Sequence, residues 1–282
     1  MKFTPIDRTT WERNSHYDYY TNLLKCGYSV TVSLDITKLH QQVKEKGLKF
    51  YPAFVYCVSK QIAVTKEFRM GRDKEGNPGY YDILHPNYTI FHEDDHTFSD
   101  VWTGYTEDFK TFYKNMRDDM ETYKDVKAVK AKPGQPQNFY CISMVPWLNF
   151  TCYSAYTESG TPMLFPIITC GKFTEHDGIL TMPFCVNIAH AAADGYHTSR
   201  HYPGIAGRRG CGTKHGRSVR VCGRCGHRGR GIRAILRCDH RRYRARAGSC
   251  FPHRAAGRHF QAGGAHAPCG TDAGGRTACC GR

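Results

Sequence analysis

Residues 179–195 read Ile179-Leu180-Thr181-Met182-Pro183-Phe184-Cys185-Val186-Asn187-Ile188-Ala189-His190-Ala191-Ala192-Ala193-Asp194-Gly195. Leu180, Met182, Phe184, Val186 and Ile188 alternate with their neighbours, the spacing that puts side chains on one face of a β-strand. His190 falls in the same register, and a histidine closing a run of apolar side chains is not placed there for solubility. Asp194 stands where a helix beginning at Gly195-Tyr196-His197 needs a cap. The resulting H-x-x-x-D-G string sets a candidate general base at a strand end and an aspartate that can lock its turn. A buried histidine bonded to backbone would suit the string equally well. The string alone therefore does not decide the role.

Working outward, Pro166 to Phe173 reads as a strand and His176-Asp177-Gly178 as turn chemistry, so 166–190 is expected to form a hairpin. Upstream, Thr9-Thr10 can cap a helix from Trp11 to about Leu24, ended by Cys26-Gly27. Tyr28 to Leu34 alternates and reads as a strand. Asp35 or Thr37 can start a short helix ending near Gly47. Pro52 suits the first turn of a helix whose apolar face is Ala53, Phe54, Val55, Val58 and Ile62. Tyr80 to Phe91, Thr97 to Tyr105 and Phe139 to Phe150 read as strands. Asp108 to Tyr123 has helical spacing in Phe109, Phe112, Tyr113, Met116 and Met120. Strands and helices alternate irregularly, with several hairpins. The expectation is an α+β domain with a mixed sheet flanked by helices.

The composition breaks near residue 200. The whole chain carries a formal charge of +15. Residues 201–282 hold 17 Arg, one Lys and only two acidic residues, so the whole of the excess sits there and residues 1–200 are nearly neutral. Arg, Gly and Ala fill 45 of those 82 positions, and only eight are Leu, Ile, Val or Phe. That is too little apolar surface to offset the entropy of ordering, so a disordered basic tail is expected after a first domain of residues 1–200. The tail is either a natural extension or the product of a frameshift or fusion junction. Its bias toward residues with GC-rich codons favours the junction. Cys222, Cys225, Cys238 and His240 offer four candidate metal ligands, but at spacings foreign to common zinc fingers, and no metal site is expected. An Arg- and Gly-rich stretch also binds nucleic acid phosphates non-specifically.

The six cysteines before residue 200 sit singly among apolar residues, as buried hydrophobes do in a cytoplasmic protein. The N-terminus has no apolar signal core, and no apolar run reaches membrane-spanning length. A cytoplasmic location with no membrane partner is expected.

Several ordered blocks carry a family resemblance. They are Trp11-Glu12-Arg13 with His16, Leu34-Asp35-Ile36-Thr37, Lys49-Phe50-Tyr51-Pro52-Ala53-Phe54 and Glu67-Phe68-Arg69-Met70. They continue as Tyr88-Thr89-Ile90-Phe91-His92-Glu93, Thr97-Phe98-Ser99, Ile142-Ser143 leading to Pro146-Trp147, and His190 to Ser199. With these, residues 1–200 resemble the type A chloramphenicol acetyltransferase family. The resemblance implies a coenzyme A-dependent acyltransferase fold and homotrimers with active sites at subunit interfaces. It implies acetyl transfer from acetyl-CoA to a chloramphenicol hydroxyl. By the same resemblance His190 is the general base, one ring nitrogen held by a backbone carbonyl, and Ser143 the donor to the oxyanion. Asp194 and Arg13 pair to hold the loop, Thr169 positions a water, and Tyr20 and Tyr28 line the acceptor pocket. Ala189 and Ala193 depart from the family's usual histidine and cysteine. The family's amphipathic C-terminal helix is replaced here by His201-Tyr202-Pro203-Gly204, which should stop a helix. Two further functions are carried: a coenzyme A-dependent O-acyltransferase with another acceptor, and a nucleic-acid-binding protein acting through its tail.

Overall fold

A computed structural model describes residues 1–155 and 163–205, the last five by their backbone alone. The elements, in chain order, are β1 (Phe3–Pro5), α1 (Asn14–Asp18), a π-helical turn (Tyr19–Leu23), β2 (Gly27–Asp35), α2 (Thr37–Glu45) and α3 (Phe50–Val64). A 3₁₀ turn (Lys66–Arg69), β3 (Met70–Arg72), β4 (Pro78–Tyr81), β5 (His85–His92), β6 (Thr97–Trp102) and α4 (Phe109–Tyr123) follow. The described chain closes with β7 (Phe139–Met144), β8 (Ile167–Cys170), β9 (Thr174–His176), β10 (Ile179–Ala189) and α5 (Gly195–Ile205).

The main sheet runs β2-β10-β8-β7-β5-β6, with β9 also paired to β10, and β1-β4-β3 form a small second sheet. β5, β7 and β8 are mutually parallel, and the other pairs are antiparallel. This is the mixed, helix-flanked α+β sheet read from the sequence. β10 is its long central strand, matched to β2 over nine residues from Thr181↔Asp35 to Ala189↔Gly27. Met182, Phe184, Val186 and Ile188 face the core, where Phe184 meets Phe54 of α3 at a ring-centroid distance of 6.1 Å. Phe112 and Met116 of α4 complete that layer. Burying each such side chain contributes about 1.5–3 kcal/mol.

The pleat aims Cys185 and Asn187 the other way, yet both are buried. Their cover is the chain after β7: the Cys185 thiol donates to the Tyr153 carbonyl (3.1 Å), and the Ala155 N–H donates to Asn187 Oδ1 (3.1 Å). Pro183 stands opposite the break between β8 and β9, in register with neither, so no ladder bond from them needs its missing N–H. The β9–β10 turn places Asp177 and Gly178 at φ 50° and 72°, the left-handed pair of a tight hairpin.

Several expected boundaries move, each for a local reason. The helix expected from Trp11 begins at Asn14, because Thr9 and Thr10 bond the Asp7 carboxylate instead of capping it. The expected strand Tyr80–Phe91 is two strands in different sheets. Between them the Asp82 carboxylate accepts the N–H groups of Ile83 (2.9 Å) and Lys2 (3.2 Å), which turns the chain. The expected strand to Phe150 ends at Met144, where the Pro146 turn begins, and the expected strand 166–173 is interrupted at Gly171.

The helix expected to stop at His201 runs to Ile205. Pro203, near its end, lacks the N–H that would bond the Ser199 carbonyl, so the helix crosses it without that one bond. The basic stretch beyond, with its candidate zinc ligands Cys222, Cys225, Cys238 and His240, lies outside the described residues. No helix among the described residues is long and apolar enough to cross a membrane.

Gly171 seats the chain after β7 on the sheet. A Cβ there would meet the Leu148 carbonyl oxygen at 2.7 Å and Pro183 Cγ at 3.0 Å. Gly171→Ala should therefore destabilise the protein by about 1–3 kcal/mol in a urea melt, as overpacked sites do. An unchanged midpoint would mean that segment 145–150 does not rest there.

Candidate active site

His190 follows the last residue of β10, and its N–H still donates to the Cys26 carbonyl beside β2 (3.1 Å), so the strand ladder carries its backbone. The next three residues, Ala191 to Ala193, are fully buried. Ala192 and Ala193 donate their N–H groups to the Ala189 carbonyl at 3.0 and 3.2 Å, curling the chain into a tight turn. Only small side chains fit such a turn.

Two aromatic rings hold the imidazole. Tyr20, from the π-helical turn, stacks on it with centroids 3.9 Å apart and planes within 6°. Tyr28, from β2, meets it edge-on at 5.3 Å. The Tyr28 hydroxyl is fixed in turn by Thr198 Oγ1 at 2.5 Å. Burial raises the Tyr28 phenol above its ordinary pKa, with the Thr198 hydrogen bond opposing it, so the group stays neutral near pH 7. His190 Nδ1 is buried and has no hydrogen-bond partner among the described residues. The backbone carbonyl expected to hold a ring nitrogen is thus not found at Nδ1: the aromatic faces fix the ring, while the His190 carbonyl accepts from Arg13 Nη2 at 3.4 Å. A buried, unpaired ring nitrogen costs about 1–3 kcal/mol, the kind of expense that clusters at reactive groups.

Arg13 and Asp194 meet, with Nη1 2.7 Å from Oδ2. Arg13 is the N-cap residue of α1 and caps nothing with its side chain, so its guanidinium is available to the turn. Asp194 caps α5: Oδ1 accepts the N–H groups of Tyr196 (3.0 Å) and His197 (3.4 Å). Burial alone would raise the Asp194 carboxyl, but the charge of His197 and the hydrogen bond from Arg13 outweigh it and hold the group below its usual range. One carboxylate so ties together α1, the His190 turn and α5.

Ser143 and Thr169 lie elsewhere. They pair with each other across β7 and β8, and Thr169 pairs with Cys185 of β10. Paired residues share a face, so Ser143 and Thr169 lie on the side of Cys185 and Asn187, opposite Phe184 and Val186. Along β10, Cys185 is five residues before His190, about 17 Å of strand at ~3.3 Å per residue. Ser143 is partly exposed and Thr169 almost fully buried. Within one chain, then, His190 is assembled with Tyr20, Tyr28, Arg13 and Asp194, while Ser143 and Thr169 form a second, separate cluster.

Sequence reading did not single out Thr198, His197 or Glu67. His197 Nδ1 lies 2.8 Å from Asp194 Oδ1, and its Nε2 lies 3.7 Å from Glu67 Oε1. The signal for His197 was present: it is three residues after the capping Asp194, where a reciprocal capping partner sits. Nothing local marks Glu67, which reaches the site only through the fold. Among the described residues no three His, Cys, Asp or Glu side chains are grouped as a metal ion requires.

Comparisons with known proteins fit this arrangement. The family model for chloramphenicol acetyltransferase matches residues 1–205. A chloramphenicol acetyltransferase of Clostridium perfringens is 40% identical over 202 residues, 72% of this chain and 92% of the relative. One from Staphylococcus aureus is 39% identical over 199 residues, 71% of this chain and 95% of the relative. Among solved structures, a chloramphenicol acetyltransferase superposes with a TM-score of 0.63 at 24% identity, covering 73% of this chain and 98% of that one. A truncated catalytic core of the 2-oxoacid dehydrogenase multienzyme complex from Thermoplasma acidophilum superposes at 0.51 with 10% identity, covering 73% and 95%. The two solved structures speak for the fold. The family model and the sequence relatives go further, since they span the β10 turn, the Arg13–Asp194 pair and the strands between: this chain belongs to the chloramphenicol acetyltransferase family.

Proposed function

We propose that this chain moves the acetyl group of acetyl-coenzyme A onto a hydroxyl of chloramphenicol, working as a homotrimer with each active site between two subunits. The observation that carries the reading is the setting of His190. It is a histidine at a strand end, oriented by two aromatic rings, with its turn tied down by an ion pair and its Nδ1 turned inward. That leaves Nε2 to take the proton of the acceptor hydroxyl. The freed oxygen attacks the thioester carbonyl carbon, and the Ser143 hydroxyl donates to the oxyanion that forms there. Collapse breaks the carbon–sulfur bond, and the departing thiolate recovers the proton from His190. No acyl-enzyme is needed. Tyr20 and Tyr28 serve as apolar walls for the acceptor as well as holding the base. Thr169 stays beside Ser143 to position a water. Arg13 and Asp194 hold the turn and carry no proton.

The separation of the two clusters supports the shared site. His190 and Ser143 belong to opposite faces of one sheet, so a reaction using both takes them from different copies of the chain. In a cyclic trimer each interface offers His190 from one subunit and Ser143 from the next. Half-buried Ser143 and the exposed Leu23 and Leu24 at the end of the π-helical turn are surfaces such an interface would cover. The alternative acceptors and the nucleic-acid reading gain no support from the described residues, since the tail lies outside them.

His190→Ala should lower turnover by about 10²–10⁴-fold with the melting temperature kept. Ser143→Ala should cost about 10²–10³-fold in kcat with little change in KM. Mixing the two inactive variants by co-expression should restore activity, because a mixed trimer holds about one site in three with both residues intact. Hybrids as inactive as their parents would place His190 and Ser143 in the same subunit's site and contradict the shared-site reading.

Arg13→Ala and Asp194→Ala should be coupled in a double-mutant cycle by about 1–3 kcal/mol, between the range for exposed and for buried pairs. Strict additivity would mean the two groups do not interact in solution. The folded state holds the Asp194 pKa below its unfolded value. The stability it contributes is therefore complete above about pH 4 and is lost as pH falls through the lower, folded value. The coupling measured at pH 7 should accordingly shrink in acid.

A further inference from the structure

With no hydrogen bond at Nδ1 among the described residues, the orientation of the His190 imidazole rests on its two ring contacts. The two do different work. The stack on Tyr20, with planes within 6°, resists tilting of the ring. It does not stop the imidazole from sliding over the Tyr20 face or turning within its own plane, because offset stacks of many displacements are close in energy. The edge contact of Tyr28, at 62° to the imidazole and 5.3 Å between centroids, supplies that stop. Where Tyr28 stands therefore decides where Nε2 points.

Tyr28 is poorly placed to hold itself. It is the second residue of β2, the outermost strand of the main sheet among the described residues, and it is only half-buried. Its ring hangs on two soft torsions. Its hydroxyl is what is anchored, 2.5 Å from Thr198 Oγ1 in α5. Thr198 is fixed in turn. It is buried, and both its N–H and its hydroxyl donate to the Asp194 carbonyl, at 3.0 and 3.1 Å. A threonine one helical turn after the cap makes that second bond without leaving the helix. Asp194 thus serves twice: its carboxylate binds the start of α5 and Arg13, and its carbonyl seats Thr198. Arg13 reaches back to the His190 carbonyl at 3.4 Å. The contacts close into a ring: the His190 peptide to Arg13, Asp194, Thr198, Tyr28 and back to the His190 imidazole. Backbone and side chain of the same histidine are referred to one aspartate.

We propose that Thr198 is a positioning residue for the reaction: its hydroxyl tethers the Tyr28 phenol to α5, and the tethered ring fixes the imidazole of His190 on the face of Tyr20. A side chain of the same size without the hydroxyl would leave the phenol oxygen against an apolar surface, and the ring would turn to satisfy it elsewhere. The proposal rests on the acetyl-transfer reading above, so its test includes a readout that needs no turnover. Protons held over an aromatic face resonate upfield, so the His190 ring signals report its place on Tyr20 whether or not the chain is active.

The test uses the full-length chain, labelled at histidine and assigned with His190→Ala, alongside acetyl transfer from acetyl-CoA to chloramphenicol. Thr198→Val should shift the His190 ring signals and lower kcat by about 10–100-fold, the cost of a small misplacement, with KM for acetyl-CoA within about twofold. Thr198→Ser restores the hydroxyl and should return both readouts to near wild-type values. Tyr28→Phe cuts the same tether from the other side and leaves α5 untouched, so it carries the test if Thr198→Val melts early. Since the two substitutions remove one bond, the double variant should lose no more kcat than the worse single one. Ring signals and kcat unchanged in the folded single variants would overturn the proposal. So would a Thr198→Ser variant as impaired as Thr198→Val, or losses that multiply in the double variant. A wild-type chain with a stacked His190 but no acetyl transfer would count against the activity alone, since the ring signals of the variants would still decide the tether.

Discussion

The pleat of β10 is the constraint on which the rest depends. A strand presents successive side chains to opposite faces, and β10 is buried on both. One face packs Phe184 and Val186 under the helices, and the other packs Cys185 and Asn187 under the segment that follows β7. No residue of this strand can change sides without slipping the whole register against β2 and β8. That register also fixes the company each functional side chain keeps. Ser143 and Thr169 are bound to the Cys185 face through the ladder, and His190 is delivered to the end of the strand beside Gly27 and Cys26. Chemistry that needs both sets has to bring together two surfaces that one chain keeps apart.

Asp194 is the second organising group, and it works because of its place and not its charge alone. As a cap it satisfies otherwise orphaned N–H groups at the start of α5. As an anion at a helix N-terminus it also gains from the helix dipole. Those two effects would hold it in place with no Arg13 present. The ion pair is then formed by a carboxylate already immobilised, so little further entropy is lost. That is why a pair left partly open to water still joins three elements.

Much of the main sheet was legible because its strands alternate strictly. The β2 and β10 patterns, the Asp177-Gly178 turn, the α3 apolar face and the apolar spacing of α4 all follow from local sequence and appear in the structure. What misled was competition by side chains for the backbone. Asp7 took the hydroxyls of Thr9 and Thr10, and Asp82 split an apparently continuous strand into two. Local propensity cannot weigh such contests. The π-helical turn was illegible for another reason, since its widened spacing resembles an ordinary helix over so few residues. At the site, the cap spacing marked Asp194, and the family resemblance pointed to Arg13. Glu67 could not be found from spacing, because more than a hundred residues separate it from the histidine it faces.

The three buried alanines after His190 have an evolutionary consequence. The side chains from Ala191 to Ala193 are fully buried, so residues much larger than alanine or cysteine there would press on the base itself. The turn is therefore a poor place for selection to explore new acceptors, since variation in substrate preference would arrive coupled to loss of catalysis. The exposed Leu23 and Leu24, at the end of the widened turn that carries Tyr20, do not touch that enclosed turn. The fold thus ties any change in the enclosed turn directly to the placing of the base.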